Sequence, residues 1–434
     1  MLKIYFKQAI ELLKQHKLFS GIYIFGTALA IASTTIMVVV AYLDIAPLYP
    51  DVNRENVYYV KHLCVKRTNE RGMSVSNYSY KAVEEWFYKL KNKKEVSAEY
   101  GFIGLTPVKT VKTKTELYGR YTDPAFFRIY QFNFIMGRPF SQSEFEGKVK
   151  RAVISDEAAK ALFGSVDGAM EKPITVRNKE YIVCGVYEEP SMIMSESFAG
   201  VILPYTTADG YDECDAIYQY LGRYSFRILV ESETQADALR REIAELMRQY
   251  NSVNTEFEIG PEYTDLVSVV RESNGFKGWS SFYSSTGYKI LFAVIFILLL
   301  VPALNLSGMI SGRMSMRSLE LGVRKSFGAT RGKLLRQVMW ENLFLTLMGG
   351  VVGFILSWVF IYCCKDWLFM VIRPELGEMS GTSNVKLTIE MIFSPIVFLF
   401  SFLACVVLNV MSAYIPARNA LKRPIVESLN AKNN

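Results

Sequence analysis

The run LFSGIYIFGTALAIASTTIMVVVAYL, residues 18–43, carries no charged side chain. A helix needs roughly 20 residues to cross a bilayer core, so this run is long enough to span one. Three more charge-free apolar stretches lie at 290–310, 343–364 and 391–415. The chain therefore reads as a membrane protein with four transmembrane α-helices, at 18–43, 286–312, 338–364 and 391–415. Half of its 434 residues are hydrophobic and the mean hydropathy is +0.15, high for a protein with no membrane contact. Between the first and second spans, residues 44–285 are mixed in composition and have room for a folded domain with its own core.

Basic residues near helix ends resist translocation and so fix the orientation. Lys3, Lys7, Lys14 and Lys17 precede the first span against Glu11 alone. Arg418, Lys422, Arg423 and Lys432 follow the last against Glu427. The loop 313–337 is the most basic, with Arg313, Arg317, Arg324, Lys325, Arg331, Lys333 and Arg336 against Glu320. The N-terminus (1–17), this loop and the tail (416–434) are thus expected in the cytoplasm, with 44–285 and the short loop 365–390 outside. Because the net charge of +7 is concentrated in those flanks, the remainder is net acidic. The basic pI is a topology signal, and no nucleic-acid partner is expected. Ala28-Leu-Ala30 resembles a signal cleavage site, yet the apolar run continues to Leu43 and suits an uncleaved span.

The outer region reads as two similar halves. Residues 58–66 and 96–103 are strand-like around a helical stretch at 80–90, and 223–231, 233–250 and 255–259 repeat the order. Two β-α-β units predict a ferredoxin-like α+β porter layer, and residues 104–222, with many short strands bounded by Gly and Pro, read as an inserted strand-rich subdomain. Cys64, Cys184 and Cys214 lie in the outer region, where one disulfide among the three stays open.

Residues that could do chemistry are scarce. The only histidines are His16 and His62, with no zinc-protease, esterase or metal-cluster spacing. Glu84/Glu85 and Glu188/Glu189 read as surface carboxylates. The stretch GATRGKL at 328–334 is too short between its glycines, and ends in Leu where a phosphate loop needs Ser or Thr. No catalytic residue, bound cofactor or metal is expected in this chain.

Within the spans, Gly26, Ala30 and Thr34 fall four apart, as do Gly349 and Gly353, a pattern that lets helix backbones approach closely and suits self-association. Glu341, near the cytoplasmic end of the third span, is placed to reach water or the basic loop. That loop reads RSLELGVRKSFGATRGKLLRQ from Arg317 to Gln337. Leu319, Val323 and Phe327 are four apart on one face, Glu320 and Arg324 are spaced for an i,i+4 pair, and Gly328 offers a helix stop. Its chemistry suits equally an anionic lipid surface and a partner protein.

The same loop resembles the R-x-x-E-[IL]-G-[IV]-R-[KR]-x-x-G-A signature of MacB/FtsX-type ABC permeases through Arg317, Glu320, Leu321, Gly322, Val323, Arg324, Lys325, Gly328 and Ala329. The tail from Pro416 to Leu429 and the stretches 123–127, 137–140, 152–155, 162–164 and 181–186 are similar to that family as well. The resemblance implies a permease of the bacterial inner membrane that pairs with a second permease, identical or different, and with a separate ABC ATPase holding ATP and Mg. It also implies mechanotransmission, in which the ATPase moves the extracytoplasmic domain to export or extract peptides, lipids, lipoproteins or drugs. A periplasmic adaptor and outer-membrane channel, or a lipoprotein carrier, would complete such a system. The loop 313–337 becomes the expected coupling element, through Arg317, Leu319, Glu320, Gly322, Val323, Arg324, Lys325, Phe327, Gly328 and Ala329. The missing fused nucleotide-binding domain departs from MacB itself. An FtsX-like regulator, driving an outside hydrolase without moving cargo, is the alternative, although the size of the outer region favours transport.

Overall fold

The computed structural model describes residues 17–60, 62–68, 73–101, 104–215, 217–259, 267–268, 318–372, 385–388 and 395–422, with residues 293, 296–297, 312 and 391 besides. The expected second span therefore lies almost entirely outside the described residues. The chain divides into two compact units: a helical one (1–42, 285–365 and 387–434) and a mixed α/β one (43–284 and 366–386). Helix α1 is Lys17–Ile45, and most of it belongs to the helical unit.

The mixed unit begins with β1 (Val57–Val60), β2 (Leu63–Arg67) and β3 (Met73–Tyr78), followed by α2 (Tyr80–Glu85) and β4 (Glu95–Tyr100). The single strand expected over 58–66 is thus two, broken after Val60. All four residues of β1 are buried, and it pairs antiparallel with two later strands while β2 turns to two others. The insert contributes β5 (Gly104–Lys109), β6 (Lys114–Thr122), α3 (Phe126–Ile129), β7 (Phe134–Gly137), α4 (Gln142–Glu146), β8 (Arg151–Ser155) and α5 (Asp156–Phe163). It continues with β9 (Pro173–Val176), β10 (Lys179–Tyr187), β11 (Val201–Pro204) and β12 (Leu221–Gly222). Then come β13 (Tyr224–Leu229), α6 (Glu233–Val253), β14 (Phe257–Ile259) and β15 (Val267–Ser268).

In the outer layer β13 is central, antiparallel to both β1 and β4, with Phe226 opposite Val60 on one side and Ala98 on the other. Strand β14 adds to β2 in the same antiparallel sense. The order β14, β2/β1, β13, β4 is that of two interlocked β-α-β units, with β3 as an extra strand beside β2. Helix α6 turns Ala236, Leu239, Ile243 and Met247 inward, starts on the Ser232 side chain, which accepts from the Gln235 N–H, and exposes charge elsewhere. Fully buried rings fill the core: Phe87 stacks on Phe226 at 3.7 Å between centroids, and Tyr78 meets both edge-on. In the insert, β10 lies parallel to β8 and antiparallel to β9, and β11 runs parallel to β6.

A buried ion cluster ties β4, β6 and β13. Glu99 accepts from Arg120 Nη1 at 2.6 Å and also pairs with Arg227, which reaches Glu196 at 3.1 Å. Arg120 Nε donates to the Phe198 carbonyl at 2.9 Å, and Arg227 Nε to the Tyr130 hydroxyl at 3.1 Å. Side-chain exposures of 6% for Arg120, 3% for Arg227 and 9% for Glu99 leave little room for water. Cys64, Cys184 and Cys214 form no disulfide among the described residues. Glu189, expected at the surface, is buried, because the chain after β10 folds beneath the β8–α5 corner.

The remaining helices are α7 (Ser318–Ser326), α8 (Arg331–Ile372) and α9 (Pro395–Lys422). Three helices among the described residues, α1, α8 and α9, are long and apolar enough to cross a membrane. Helix α8 overruns the expected 338–364 at both ends, and its 42 residues extend about 63 Å. Backbone hydrogen bonding does not stop where hydropathy falls, and Thr330 supports the polar first turn, its carbonyl accepting from the Lys333 and Leu334 N–H groups.

Candidate functional site

The corner expected from the basic loop is built from the end of α7, the turn 327–330 and the start of α8. Gly328 adopts φ +88°, which a residue with a Cβ resists. Its N–H donates to the Lys325 carbonyl at 3.0 Å, and the Ala329 N–H to the Arg324 carbonyl at 3.0 Å. Those two bonds form the paired closure of a Schellman motif, so the sequence GA at 328–329 ends the helix and reverses the chain. Phe327 is thereby carried to the outside of the turn.

The base of the corner is held. Arg324 Nη1 donates to Gln337 Oε1 at 3.0 Å, and Gln337 Nε2 donates to Glu341 Oε1 at 3.0 Å, a relay from α7 into α8. Glu341 is 3% exposed, so of the two expected surroundings, water and the basic loop, it meets the loop. Lys325 Nζ donates to the Leu421 carbonyl at 2.8 Å, near the end of α9, where a cation meets the negative end of the helix. Burial, and then the charge of Arg331, lower the Lys325 pKa. Below the turn, Leu334 and Val338 pack with Ala413, Ala417, Leu421 and Tyr23.

The tip is open. Phe327 is 89% exposed and Val323 40%. Gly322 is buried, and its carbonyl accepts from Ser326 Oγ at 3.1 Å. Arg317 and the side chains of Leu319 and Glu320 lie outside the described residues, as does the expected Glu320–Arg324 pair. The described residues hold no group of His, Cys, Asp and Glu that could bind a metal. What the arrangement offers is a rigid corner with an apolar ring at its apex, the form of a docking knob. The Arg324–Gln337–Glu341 relay and the Lys325 anchor were not legible locally, since the latter joins residues 96 apart.

Inside the helical unit, glycines allow close approach. A Cβ at Gly349 would sit 2.8 Å from Thr27 Cβ, and one at Gly353 would sit 2.5 Å from the Ala28 carbonyl oxygen. Gly350 faces Phe402 as tightly. Thr34 is buried with its hydroxyl donating to the Ala30 carbonyl at 2.8 Å, and Ala30 is buried too. A Cβ at Gly26 would meet nothing within 4 Å, so the face of α1 that meets α8 is that of Thr27 and Ala28.

Two family models match successive parts of the chain. Residues 20–246 match the MacB-like periplasmic core domain, and residues 292–425 match the FtsX-like permease C-terminal domain. The macrolide export ATP-binding/permease protein MacB of Escherichia coli (strain K12) is 24% identical over 315 residues, 70% of this chain and 42% of that protein. MacB of Shewanella sp. (strain W3-18-1) is 24% identical over 307 residues, with the same shares. The chain thus spans 42% of the length of these curated relatives. The solved periplasmic region of MacB from Actinobacillus actinomycetemcomitans aligns with a TM-score of 0.36 and 12% identity, over 52% of this chain and 95% of that one.

Proposed function

This chain belongs to the MacB/FtsX-type ABC permeases, and from that premise we propose that it passes ATP-driven motion of a separate ATPase to its periplasmic core domain. The observation that carries the reading is the corner at 318–337, anchored through Arg324 and Lys325 while Phe327 stands exposed. Phe327 is the side chain placed to enter a groove on the ATPase, and the anchors carry the force into α8 and α9. Four spans, with both termini and the corner in the cytoplasm, complete the arrangement, supported by the basic flanks. A second permease, the same or different, would give the ATPase pair two such corners.

Cargo, on this reading, is handled at the periplasmic side. Peptides, lipids, lipoproteins and drugs are all compatible, with an adaptor and outer-membrane channel or a lipoprotein carrier beyond. On this reading ATP is bound elsewhere than at the stretch 328–334, which lacks the Ser or Thr of a phosphate loop. Purified alone in nanodiscs, the chain is expected to turn over no ATP, and addition of its ATPase to produce permease-dependent turnover. Hydrolysis by the isolated, contaminant-free chain would overturn that assignment.

A further inference from the structure

Residues 385–388 lie in the chain between α8 and α9 and belong to the mixed unit only through residue 386. Val385 is 1% exposed, and its N–H donates to Asp366 Oδ1 of α8 at 3.1 Å. The next side chain reaches the insert. Lys386 Nζ lies 3.2 Å from Glu157 Oε1, in the first turn of α5, and 3.6 Å from Glu189 Oε1. The Glu189 side chain is 2% exposed, its other oxygen accepts from Ser155 Oγ at 2.7 Å, and its N–H donates to Asp156 Oδ1 at 2.9 Å.

The two carboxylates differ in what they gain from the lysine. Glu157 is 43% exposed, and a pair of that kind contributes little, because water screens it. Glu189 has lost its water, and a buried carboxylate is costly unless a cation and hydrogen bonds replace that water. Burial works to raise the Glu157 carboxyl, yet the hydrogen bonds from Lys160 and Lys386 outweigh it and hold the group below its ordinary value. Lys386 is thus tied to a closed corner of the insert, whereas the chain on either side of it leads to a membrane-crossing helix.

We propose that Lys386 is a positioning residue that clamps the segment between the last two helices onto the β8–α5 corner, so that movement of those helices reaches the inserted subdomain through this ion cluster. The proposal rests on the coupling reading above and adds its point of attachment. The test uses the full chain with its ATPase in nanodiscs, spin-labelled at Ala161→Cys on α5 and Thr388→Cys after the clamp, with the other exposed thiols replaced. In the wild-type background the distance is expected to be narrow, and Lys386→Met to broaden and lengthen it while Lys386→Arg keeps it narrow. The double variant Lys386→Met/Glu189→Gln removes the orphaned buried charge, so broadening that persists there reports a lost clamp and not a damaged fold. A nucleotide-dependent shift of the insert, present in the wild type, is expected to be lost in Lys386→Met at unchanged ATP turnover. An unaltered label distance in Lys386→Met overturns the clamp, and a broadened distance with the shift intact overturns its role in transmission. A wild-type complex without any nucleotide-dependent shift sinks the coupling reading, while the label distance still decides the clamp.

Discussion

Glu99→Ala is expected to destabilise the periplasmic core domain by about 3–5 kcal/mol, the cost of breaking a buried ion cluster by removing one partner. That is a large part of the roughly 5–15 kcal/mol that holds a typical domain together. The reason lies in what remains behind. Arg120 and Arg227 are 6% and 3% exposed, and without Glu99 two guanidinium groups face each other where water does not reach. Glu196 still offers Arg227 a carboxylate, so Arg120 is the more exposed to the loss. By contrast, Glu231→Ala removes a carboxylate 67% exposed and 3.9 Å from Lys94, and is expected to change stability by no more than about 0.5 kcal/mol. Pulse proteolysis across a urea series, on the full chain in nanodiscs, measures both. A Glu99→Ala midpoint equal to that of Glu231→Ala would mean the cluster is not closed to water.

The second large effect is at the corner formed by α7 and the start of α8. Phe327→Ala is expected to weaken recovery of the ATPase by roughly thirtyfold, about 2 kcal/mol, because a single large apolar side chain at the centre of a docking surface carries much of its energy. Arg324→Ala acts differently. Its hydrogen bond goes inward to Gln337, so its loss loosens the corner without removing the contact, and the expected deficit is smaller. If the corner instead rested on anionic lipid, each lost cation would matter by about 1 kcal/mol and the ATPase would be indifferent to Phe327. Pull-down at matched membrane expression separates the two orders.

What the sequence disclosed, and what it hid, follows from the range of the interactions. Charge-free runs mark α1, α8 and α9 because twenty-odd apolar residues have no other common use. Helix α8 runs on past its charge-free run at both ends, since the polar turns around Arg331 and Asp366 continue the same hydrogen bonding. Helix α6 was legible from the spacing of Leu239 and Ile243, which its burial repeats. Strand β3, Met73–Tyr78, was not, because its polar alternation is rewarded only by β2 and by Leu221, Gly222 and Tyr224 far along the chain. The turn at Gly328 was readable as a stop, whereas the exposure of Phe327 and the inward bonds of Arg324 and Lys325 needed the fold. Glu99, Arg120 and Arg227 bear no local mark, and neither does Lys386, 229 residues from Glu157.

Transmission itself is open to one direct measurement. Spin labels at Val111→Cys, on the 97% exposed turn between β5 and β6, report the separation of two core domains when two copies of this permease are reconstituted with the ATPase. Comparing the nucleotide-free complex with one trapped by ATP and vanadate, the account predicts a shifted distance distribution that Phe327→Ala abolishes. Identical distributions in the two states, in a complex that hydrolyses ATP, would contradict it.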